Sequence, residues 1–570
     1  MYGISALAGI SLMPFGNSKP FCEWLSRRDS GRIARRFKCE LLIGNRAAAT
    51  KNDMRTYRNS LLACIVLHVS MWMTLAVDWP QYNGPLGDNS SPESIRTNWA
   101  AEPPQVLWRK PIGPGWSSIS VSNGRLFTQD RRTTASGQRE FCVALDAMSG
   151  TELWARHLDI ADYSDISQTD RRADGPRSTP TVEGDFLYVS TSQLKLYCLK
   201  VADGTIVWSR DFQAELGSHN IPWENAASPL LVGELIYVNS NGGSRRLMAL
   251  NKTNGQVVWS NLTDGLTHAT PVYATIHGVP QIIFLTRAGL ASVLPDTGAL
   301  LWRLPFSPSA TSTAASPSVA GEYVYASAAY GSGTWIARVA KNGNTFTATQ
   351  SAQQRGTTYQ AHWSTPVVHE RFFYTIPSPN TGQGRLACLD AATGMNRWAQ
   401  TVVGSAGISY GSVIKAANTL IVLTEAGELV LVEPNPQAYT ETAKFKILNL
   451  YCWNRPVLSN GRIYARNSSV NSEILAMDVA VASVAVPPLS IAASTIDGAT
   501  VDLLIRSTTG EPLNADHANR VELIYSSDVH TALANWIKLE GPLTATDQGL
   551  RAHVPLLPER ARFIKVRIKP

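Results

Sequence analysis

Residues 144–154 have the sequence Ala-Leu-Asp-Ala-Met-Ser-Gly-Thr-Glu-Leu-Trp, in which Gly150 precedes Trp154 by four positions. The same spacing occurs in four further pairs: Gly204/Trp208, Gly255/Trp259, Gly298/Trp302 and Gly394/Trp398. Successive tryptophans are 54, 51, 43 and 96 residues apart, and the last step corresponds to two steps of 48 with one copy lost. A self-similarity of this period predicts a radial or solenoid array of repeats.

Each Gly-Trp pair ends a longer unit. The unit opens with a small residue, usually followed by proline, and continues with a glycine before an apolar run that ends in an aromatic, as from Gly184 to Tyr188. Short β-rich runs separated by Gly, Asn and Asp turns predict four strands in about 40–50 residues, which is one propeller blade. Eight openings occur, near Ser117, Ser178, Ser228, Thr270, Ser316, Ser364, Gly411 and Arg455. The sequence therefore predicts an all-β, eight-bladed β-propeller.

One segment ahead of the first unit, Val106-Leu107-Trp108, has the pattern of a last strand without a unit of its own. We expect it to complete the eighth blade, because closing the ring removes two exposed sheet edges. The tryptophans are assigned to packing: each indole lies across the neighbouring blade while its N–H bonds a carbonyl. The predicted structural docking residues are Trp108, Trp154, Trp208, Trp259, Trp302 and Trp398.

The net charge of +7 comes from the start of the chain. Residues 1–60 hold 11 Lys/Arg and 4 Asp/Glu, and the remainder is balanced. The body of the protein therefore has no bulk basic surface for nucleic acid or an anionic membrane. Residues 54–77 combine Arg55 and Arg58 with an apolar stretch over 61–77, which predicts a signal peptide, with a single membrane anchor at 61–77 as the alternative. Membrane contact is expected only through this N-terminal segment.

The predicted domains follow from these features. Residues 1–53 are a disordered leader or lie upstream of the true start at Met54, 54–77 are the signal or anchor segment, and 78–483 are the propeller. Residues 484–570 alternate apolar and polar side chains in short runs, which predicts a small C-terminal β-sandwich. Cys142, Cys198 and Cys388 lie in or near the small-residue position of different units, which favours buried small hydrophobes over a disulfide or a metal cluster.

The repeat Ala144-x-Asp146-x-x-x-Gly150-x-x-x-Trp154 and its copies resemble the tryptophan-docking repeat of pyrroloquinoline-quinone-type β-propellers, over about residues 79–480. The chain is most similar to secreted bacterial propellers outside the dehydrogenase branch, such as the propeller lipoprotein of the outer-membrane assembly machinery. The resemblance implies one of two functional classes, a quinone-dependent alcohol or sugar dehydrogenase or a non-enzymatic scaffold. For a dehydrogenase it implies a vicinal Cys-Cys pair over the quinone, a Ca²⁺ held by Glu and Asn, and an Asp base. No adjacent cysteines occur, and Glu224-Asn225 is the one carboxylate–amide pair in a suitable place.

Loops that lead into the innermost strands line the mouth of a propeller channel, so unusual side chains just before each opening are the candidate site. Aromatic platforms with a few charges suit sugars, quinones or peptide segments. For each histidine the alternative is a structural bond between blades, and for Arg177 it is a local ion pair with Asp174. The candidate channel-mouth residues are Trp116, Arg177, His219, Trp223, Glu224, His268, His362, Tyr410 and Trp453.

We predict an exported scaffold, periplasmic or extracellular, that binds a ligand or peptide at the channel mouth and a protein or glycan partner. No catalytic residue, cofactor or metal site is predicted. The alternatives are a dehydrogenase that uses pyrroloquinoline quinone and Ca²⁺, in which hydride passes from an alcohol or sugar to the quinone, and a carbohydrate-binding surface protein.

Overall fold

The structure, a computed structural model, describes residues 77–163, 174–308, 313–379, 383–469 and 471–481, and further on 489–497, 500–510, 512–513, 517–518, 521–526, 537–538, 543–555 and 563–568. The predicted leader over 1–53 and the signal or anchor segment over 54–77, except Val77, lie outside these residues. None of the helices in the described part of the chain has the length and hydrophobicity that a membrane span requires.

The described residues are almost entirely β, as expected. The first four sheets are antiparallel meanders whose strands neighbour each other in chain order. Sheet 1 contains Ser120–Ser122, Arg125–Thr134, Gly137–Asp146 and Glu152–Ile160. Sheet 2 contains Thr181–Glu183, Phe186–Ser190, Lys195–Lys200 and Ile206–Asp211. Sheet 3 contains Leu230–Val232, Leu235–Asn239, Leu247–Asn251 and Val257–Asn261. Sheet 4 contains Val272–Ile276, Val279–Thr286, Gly289–Val293 and Leu300–Pro305.

The next four sheets continue the pattern. Sheet 5 contains Ser318–Ala320, Tyr323–Ala328, Gly333–Asn342 and Thr345–Gln354. Sheet 6 contains Val367–His369, Phe372–Thr375, Leu386–Asp390 and Asn396–Gln400. Sheet 7 contains Gly411–Ala416, Thr419–Thr424, Glu428–Val432 and Glu441–Lys446, with Ser90–Ser91 added in parallel to its first strand. Sheet 8 contains Val457–Ser459, Arg462–Arg466 and Glu473–Asp478, completed by Gln105–Pro111.

The predicted closing strand is confirmed by its pairing. Gln105–Pro111 runs antiparallel to Glu473–Asp478, with Trp108 opposite Ala476, so the beginning and the end of the repeat array share one sheet. Local turn chemistry supports the meanders: Asn123 and Gly124, between the first two strands of sheet 1, both have positive φ, which is the two-residue hairpin turn that matches strand twist.

Five neighbouring pairs of sheets are joined at their opening residues by one recurring bond, in which a backbone N–H of one opening donates to a hydroxyl of the next. The bonds run from Ser118 to Thr179 (3.0 Å), Thr179 to Ser228 (2.9 Å), Ser228 to Thr270 (2.9 Å), Ser316 to Thr365 (2.9 Å) and Arg455 to Ser118 (2.9 Å). The last bond joins sheet 8 to sheet 1. The other three pairs, sheets 4 and 5, 6 and 7, and 7 and 8, share buried hydrophobic clusters. The sheets therefore form a closed ring with their first strands at the centre, which is the architecture of a β-propeller.

The tryptophans and the turn glycines meet between sheets. A β-carbon on Gly150, Gly204, Gly255 or Gly298 would lie within 2.7 Å of the indole ring of the preceding sheet, from Trp108, Trp154, Trp208 and Trp259 respectively. Each of these indoles donates its N–H to a carbonyl of the sheet it contacts: Ala147, Val201, Lys252 and Pro295. Trp398 donates in the same way to Asn435 in sheet 7.

Trp302 makes a different bond. Its N–H donates to the side chain of Gln281 within its own sheet, at 2.7 Å, and the ring belongs to a buried cluster shared by sheets 4 and 5. Sheet 5 lacks the Gly-x-x-x-Trp ending, and the glycine in its last hairpin turn, Gly343, has no atom within 4 Å of its β-carbon position, so this turn does not receive the indole. Because sheet 5 has no docking tryptophan, the turn glycine of sheet 6 has no indole beside it either. A β-carbon on Gly394 would meet Ala352 of sheet 5 rather than a tryptophan.

The segment 79–91 lies inside the ring. Trp79 is fully buried and exchanges two backbone bonds with Val121 in sheet 1, Pro80 accepts from Val182 in sheet 2, and Ser90–Ser91 pairs with sheet 7. These partners are all in first strands. The segment therefore lies along the channel side of the ring.

Two further sheets follow the propeller among the described residues. One has the strand order Leu489–Asp497, Thr500–Ser507, Gly549–Pro555 and Leu543–Thr546. The other has the order Ile537–Lys538, Val521–Ser526 and Phe563–Ile568. One short α-helix, Phe212–Leu216, follows sheet 2, and the side chain of Asp211 caps it by accepting from the N–H of Ala214.

Candidate functional site

A cavity of about 300 Å³ opens at the end of the ring where the first strands begin. Every one of the eight sheets contributes a residue that precedes or begins its first strand, and the segment 79–91 adds Tyr82. The lining residues are Tyr82, Trp116, Ser118, Asp174, Arg177, Trp223, Ala226, His268, Ala314, Tyr330, His362, Trp363, Tyr410, Ser412, Trp453 and Arg455. We call this space the channel-mouth cavity. Seven of the nine sequence candidates line it.

One side of the cavity is a continuous aromatic cluster. Trp116 and Trp453 stack with ring centroids 4.6 Å apart and an interplanar angle of 23°. Trp363 lies 4.7 Å from Trp453 and stacks on Tyr410, also at 4.7 Å. His362 meets Trp363, Tyr410 and Tyr330 edge-on. Rings from sheets 1, 6, 7 and 8 thus form one platform. Such a platform gives a ligand a large contact area, and its aromatic side chains lose little conformational entropy when the ligand binds.

A charged group of three adjoins the aromatic cluster. Arg177 donates to both oxygens of Asp174 at 2.9 Å and to Glu224 at 3.3 Å. The indole N–H of Trp116 also donates to Asp174, at 3.0 Å. All three charged side chains are largely buried. The ion pair expected between Arg177 and Asp174 is present, and Glu224 is a second carboxylate on the same guanidinium, so the group has a formal net charge of −1.

The loop before sheet 3 has an unusual backbone. Trp223 and Glu224 are consecutive non-glycine residues with φ of 70° and 51°. This left-handed conformation costs a non-glycine residue on the order of 1 kcal/mol or more, and such strain concentrates at binding sites. Here Trp223 lines the cavity and Glu224 is buried against Arg177. Glu224 itself is absent from the lining.

The histidines differ in their roles. His268 and His362 line the cavity, and Nε2 of His268 lies 3.0 Å from the carbonyl oxygen of Pro222. Nε2 of His362 lies 3.3 Å from the side-chain amide of Gln360. His219 does not line the cavity: it is exposed, and its carbonyl accepts from the side chain of Asn241. His219 lies early in a long connection, several residues before the loop turns toward the channel.

Nine of the sixteen lining residues are not among the sequence candidates, and two of these, Tyr82 and Arg455, contact each other. Tyr82 belongs to the segment 79–91, and Arg455 occupies the opening position that holds Ser or Thr before proline in five other units. Arg455 is only 3% exposed, and its guanidinium carbon lies 4.0 Å above the ring centre of Tyr82. Its Nη1 donates to the carbonyl of Tyr82 and to the side-chain oxygens of Asn83 and Asn89. Burial lowers the pKa of this guanidinium, which Tyr82 partly offsets.

The donor set does not fit a Ca²⁺–quinone centre. Glu224 is held by Arg177, and the side-chain amide of Asn225 is engaged by the carbonyl of Thr191 and the N–H of Ala227. In the described part of the chain no three His, Cys, Asp or Glu side chains are arranged to hold a metal ion. The four cysteines there are buried and free, and none is adjacent to another.

Known proteins resemble this chain through the repeats. The model of the family described as outer membrane protein assembly factor BamB matches residues 139–400. The BamB of Moranella endobia (strain PCIT) is 26% identical over 241 residues, which cover 39% of this chain and 57% of that relative. The repeats over residues 139–400 are therefore similar to those of BamB and of pyrroloquinoline-quinone-like propellers.

Solved structures also align with this chain at low sequence identity. BamB from Moraxella catarrhalis has a TM-score of 0.45 at 15% identity, covering 66% of this chain and 97% of that one. Quinohemoprotein alcohol dehydrogenase from Comamonas testosteroni has a TM-score of 0.49 at 12% identity, covering 74% and 83%.

The BamB-like match runs from the third strand of sheet 1 to the fourth strand of sheet 6. It includes Arg177, Trp223, His268 and the His362-Trp363 pair. The remaining part of the cavity, with Tyr82, Trp116, Tyr410, Trp453 and Arg455, lies outside the matched residues.

Proposed function

We propose that this protein is an exported, non-catalytic propeller scaffold, which binds a ligand or peptide segment in the channel-mouth cavity and a protein partner at the surrounding loops. In this proposal the eight sheets are eight blades over 78–483, and the two later sheets form a small β-sandwich over 484–570. The localisation is periplasmic or extracellular. The similarity to an outer membrane protein assembly factor supports an assembly role at that membrane.

One observation carries the proposal: all eight sheets converge on a single cavity whose walls are largely aromatic and whose two nearby carboxylates, Asp174 and Glu224, are both bonded to Arg177. Catalysis of hydride or proton transfer needs an uncommitted base or nucleophile near the substrate. Asp174 and Glu224 both bond Arg177 instead, and Nε2 of each lining histidine, His268 and His362, lies within hydrogen-bond distance of a protein group. These polar groups therefore support the shape of the cavity. Aromatic walls with few polar groups are typical of binding sites.

Photo-cross-linking with the full-length chain tests the binding role. A photoreactive residue at Tyr330, which lies exposed at the cavity rim, is compared with one at Leu300, which is equally exposed on the outer strand of sheet 4. We expect a discrete outer-membrane protein adduct from position 330 and none from position 300. Equal, diffuse labelling from both positions would contradict a partner site at the channel mouth.

A separate experiment tests the dehydrogenase alternative. Calorimetric titration of the full-length chain with pyrroloquinoline quinone, with and without Ca²⁺, is followed by a dye-reduction assay with alcohols and sugars. We expect no Ca²⁺-dependent binding and no turnover, because Glu224 and Asn225 already have partners. Tight Ca²⁺-dependent binding with substrate-dependent dye reduction would replace the scaffold proposal by the enzyme.

A further inference from the structure

The channel-mouth cavity contains two arginines in opposite electrostatic situations. Arg177 has two carboxylate partners. Arg455 has none: its side-chain bonds go to a carbonyl and two amide oxygens, and its Nε is buried without a hydrogen-bond partner among the described residues. A buried charge without a counter-ion is costly, because it loses the solvation of water and gains no opposite charge in return.

The position of Arg455 in the repeat is also informative. In five other units the corresponding residue is Ser or Thr before proline, and in sheets 2, 3, 4 and 6 its hydroxyl accepts the inter-sheet bond described above. At Arg455 that acceptor is lost, and the hydroxyl of Ser412 in sheet 7 reaches the carbonyl of Asn454 at 3.3 Å instead. At this position sheet 8 therefore has a cation that lines the cavity in place of the hydroxyl that bonds the preceding sheet.

The size of the cavity limits the ligand. A volume of about 300 Å³ is at the lower end of the range for ligand cavities, roughly 300–1,000 Å³, and suits a single ring better than a peptide chain. The aromatic cluster of Trp116, Trp363, Tyr410 and Trp453 lines the cavity and offers apolar ring surface against which a ligand ring can pack. A guanidinium binds a carboxylate through paired N–H donors.

We propose that the channel-mouth cavity binds a small ring that carries a carboxylate, with the carboxylate at Arg455 and the ring against the aromatic cluster. The ligand is an acidic sugar of the uronate type or a simple aromatic acid, which share this chemistry. Arg455 sets the preference for the acid, and Arg177 stays paired with Asp174 and Glu224. This inference rests on the binding role proposed above and adds the class of ligand.

Matched pairs of ligands test the preference in the full-length wild-type chain. Glucuronate is compared with glucose, and benzoate with benzyl alcohol, by calorimetry and by the fluorescence of the cavity tryptophans. We expect at least one acid to bind 10-fold or more tightly than its neutral partner, and the pair in which this happens identifies the source of the ring. Equal affinity within both pairs, or no binding by either acid, would overturn the inference.

Substitution of Arg455 tests the residue. Arg455→Gln is expected to remove the acid preference and leave the affinity for the neutral ring within 2-fold, while Arg455→Lys retains part of the preference. Arg466→Gln is the matched control, because Arg466 is also fully buried, bonds the carbonyls of Gln129 and Gly113, and does not line the cavity. An unchanged preference in Arg455→Gln would refute the assignment.

Failure of this inference and failure of the proposed function are distinguishable. If neutral and acidic rings bind equally and Trp363→Ala abolishes both, the cavity is a binding site without acid selectivity. If Arg455→Gln does not fold, the comparison of acids with neutral rings in the wild-type chain still decides, because it needs no variant.

Discussion

The indole of Trp154 lies so close to Gly204 in the next sheet that a β-carbon on Gly204 would be 2.7 Å from Cε3 of the ring. Gly204→Ala therefore introduces a steric overlap in addition to the cost of a positive φ, which is 69° here. We expect a loss of about 2–4 kcal/mol in the free energy of unfolding, measured by denaturant titration.

Gly184→Ala separates the cost of the positive φ from the cost of the steric overlap with the indole. Gly184 also has a positive φ, 56°, but no atom lies within 4 Å of the position that a β-carbon would take there. We expect this variant to lose only about 1–2 kcal/mol, the cost of the left-handed backbone alone. Equal losses in the two variants would show that the Trp154 contact contributes little.

The repeat in the sequence predicted the strand order and the ring closure because both depend on local patterns and on one orphan strand. The channel-mouth cavity was predicted in large part, since residues before each first strand lie at the same end of a propeller. Tyr82 and Arg455 were missed for different reasons. Tyr82 reaches the cavity from a segment outside the repeat, whereas Arg455 was detectable as a charged residue at a position otherwise held by Ser or Thr.

The contacts of single side chains were harder to predict. The sequence could not show that His219 lies away from the channel while His268 lines it, because both occur in connections between sheets. The different bond of Trp302 was detectable in principle, since the following unit lacks the Gly-x-x-x-Trp ending that supplies the docking glycine.

The inter-sheet hydroxyls give a second prediction. Thr365 accepts from the backbone N–H of Ser316 at 2.9 Å, and both residues are buried. Thr365→Val keeps the shape and leaves that N–H without its partner, so we expect a loss of about 1–3 kcal/mol in chemical unfolding. Thr347→Val, at an exposed position of the outer strand of sheet 5, is the control and should change stability by less than about 0.5 kcal/mol. A neutral Thr365→Val would contradict a stabilising role for these bonds.

Gln281 gives a third prediction, because its side-chain oxygen accepts from both Trp302 and Ser292 at 2.7 Å. Gln281→Met removes the acceptor in a fully buried position and leaves two donors unpaired, with an expected loss of about 2–4 kcal/mol. Trp302→Phe should cost less in the Gln281→Met background than in the wild type. A double-mutant cycle by denaturant unfolding measures this coupling, expected at about 1–2 kcal/mol, and strict additivity would exclude it.

Glu140 gives a pH prediction. It is fully buried in sheet 1, where burial raises its pKa to about 7 and Asp159 adds to the rise, against hydrogen bonds from Ser192 and Tyr163. A folded-state pKa above the unfolded value of about 4.5 means that the protonated carboxyl favours folding, so its contribution is complete below about pH 4.5 and is lost as the pH rises through 7. The loss amounts to about 3 kcal/mol at 1.36 kcal/mol per pKa unit.

Glu140→Gln should remove this dependence, since an amide can accept from the N–H of Ser192 and donate to the hydroxyl of Tyr163. We expect the thermal midpoint of the variant to exceed that of the wild type at pH 8 and to approach or fall below it at pH 5. Glu102→Gln, at an exposed carboxylate, is the control and should follow the wild type at both pH values. Because other groups titrate in the same range, the deciding quantity is the difference between wild type and variant. A difference that stays constant from pH 5 to pH 8 would mean that Glu140 keeps the same protonation state on folding.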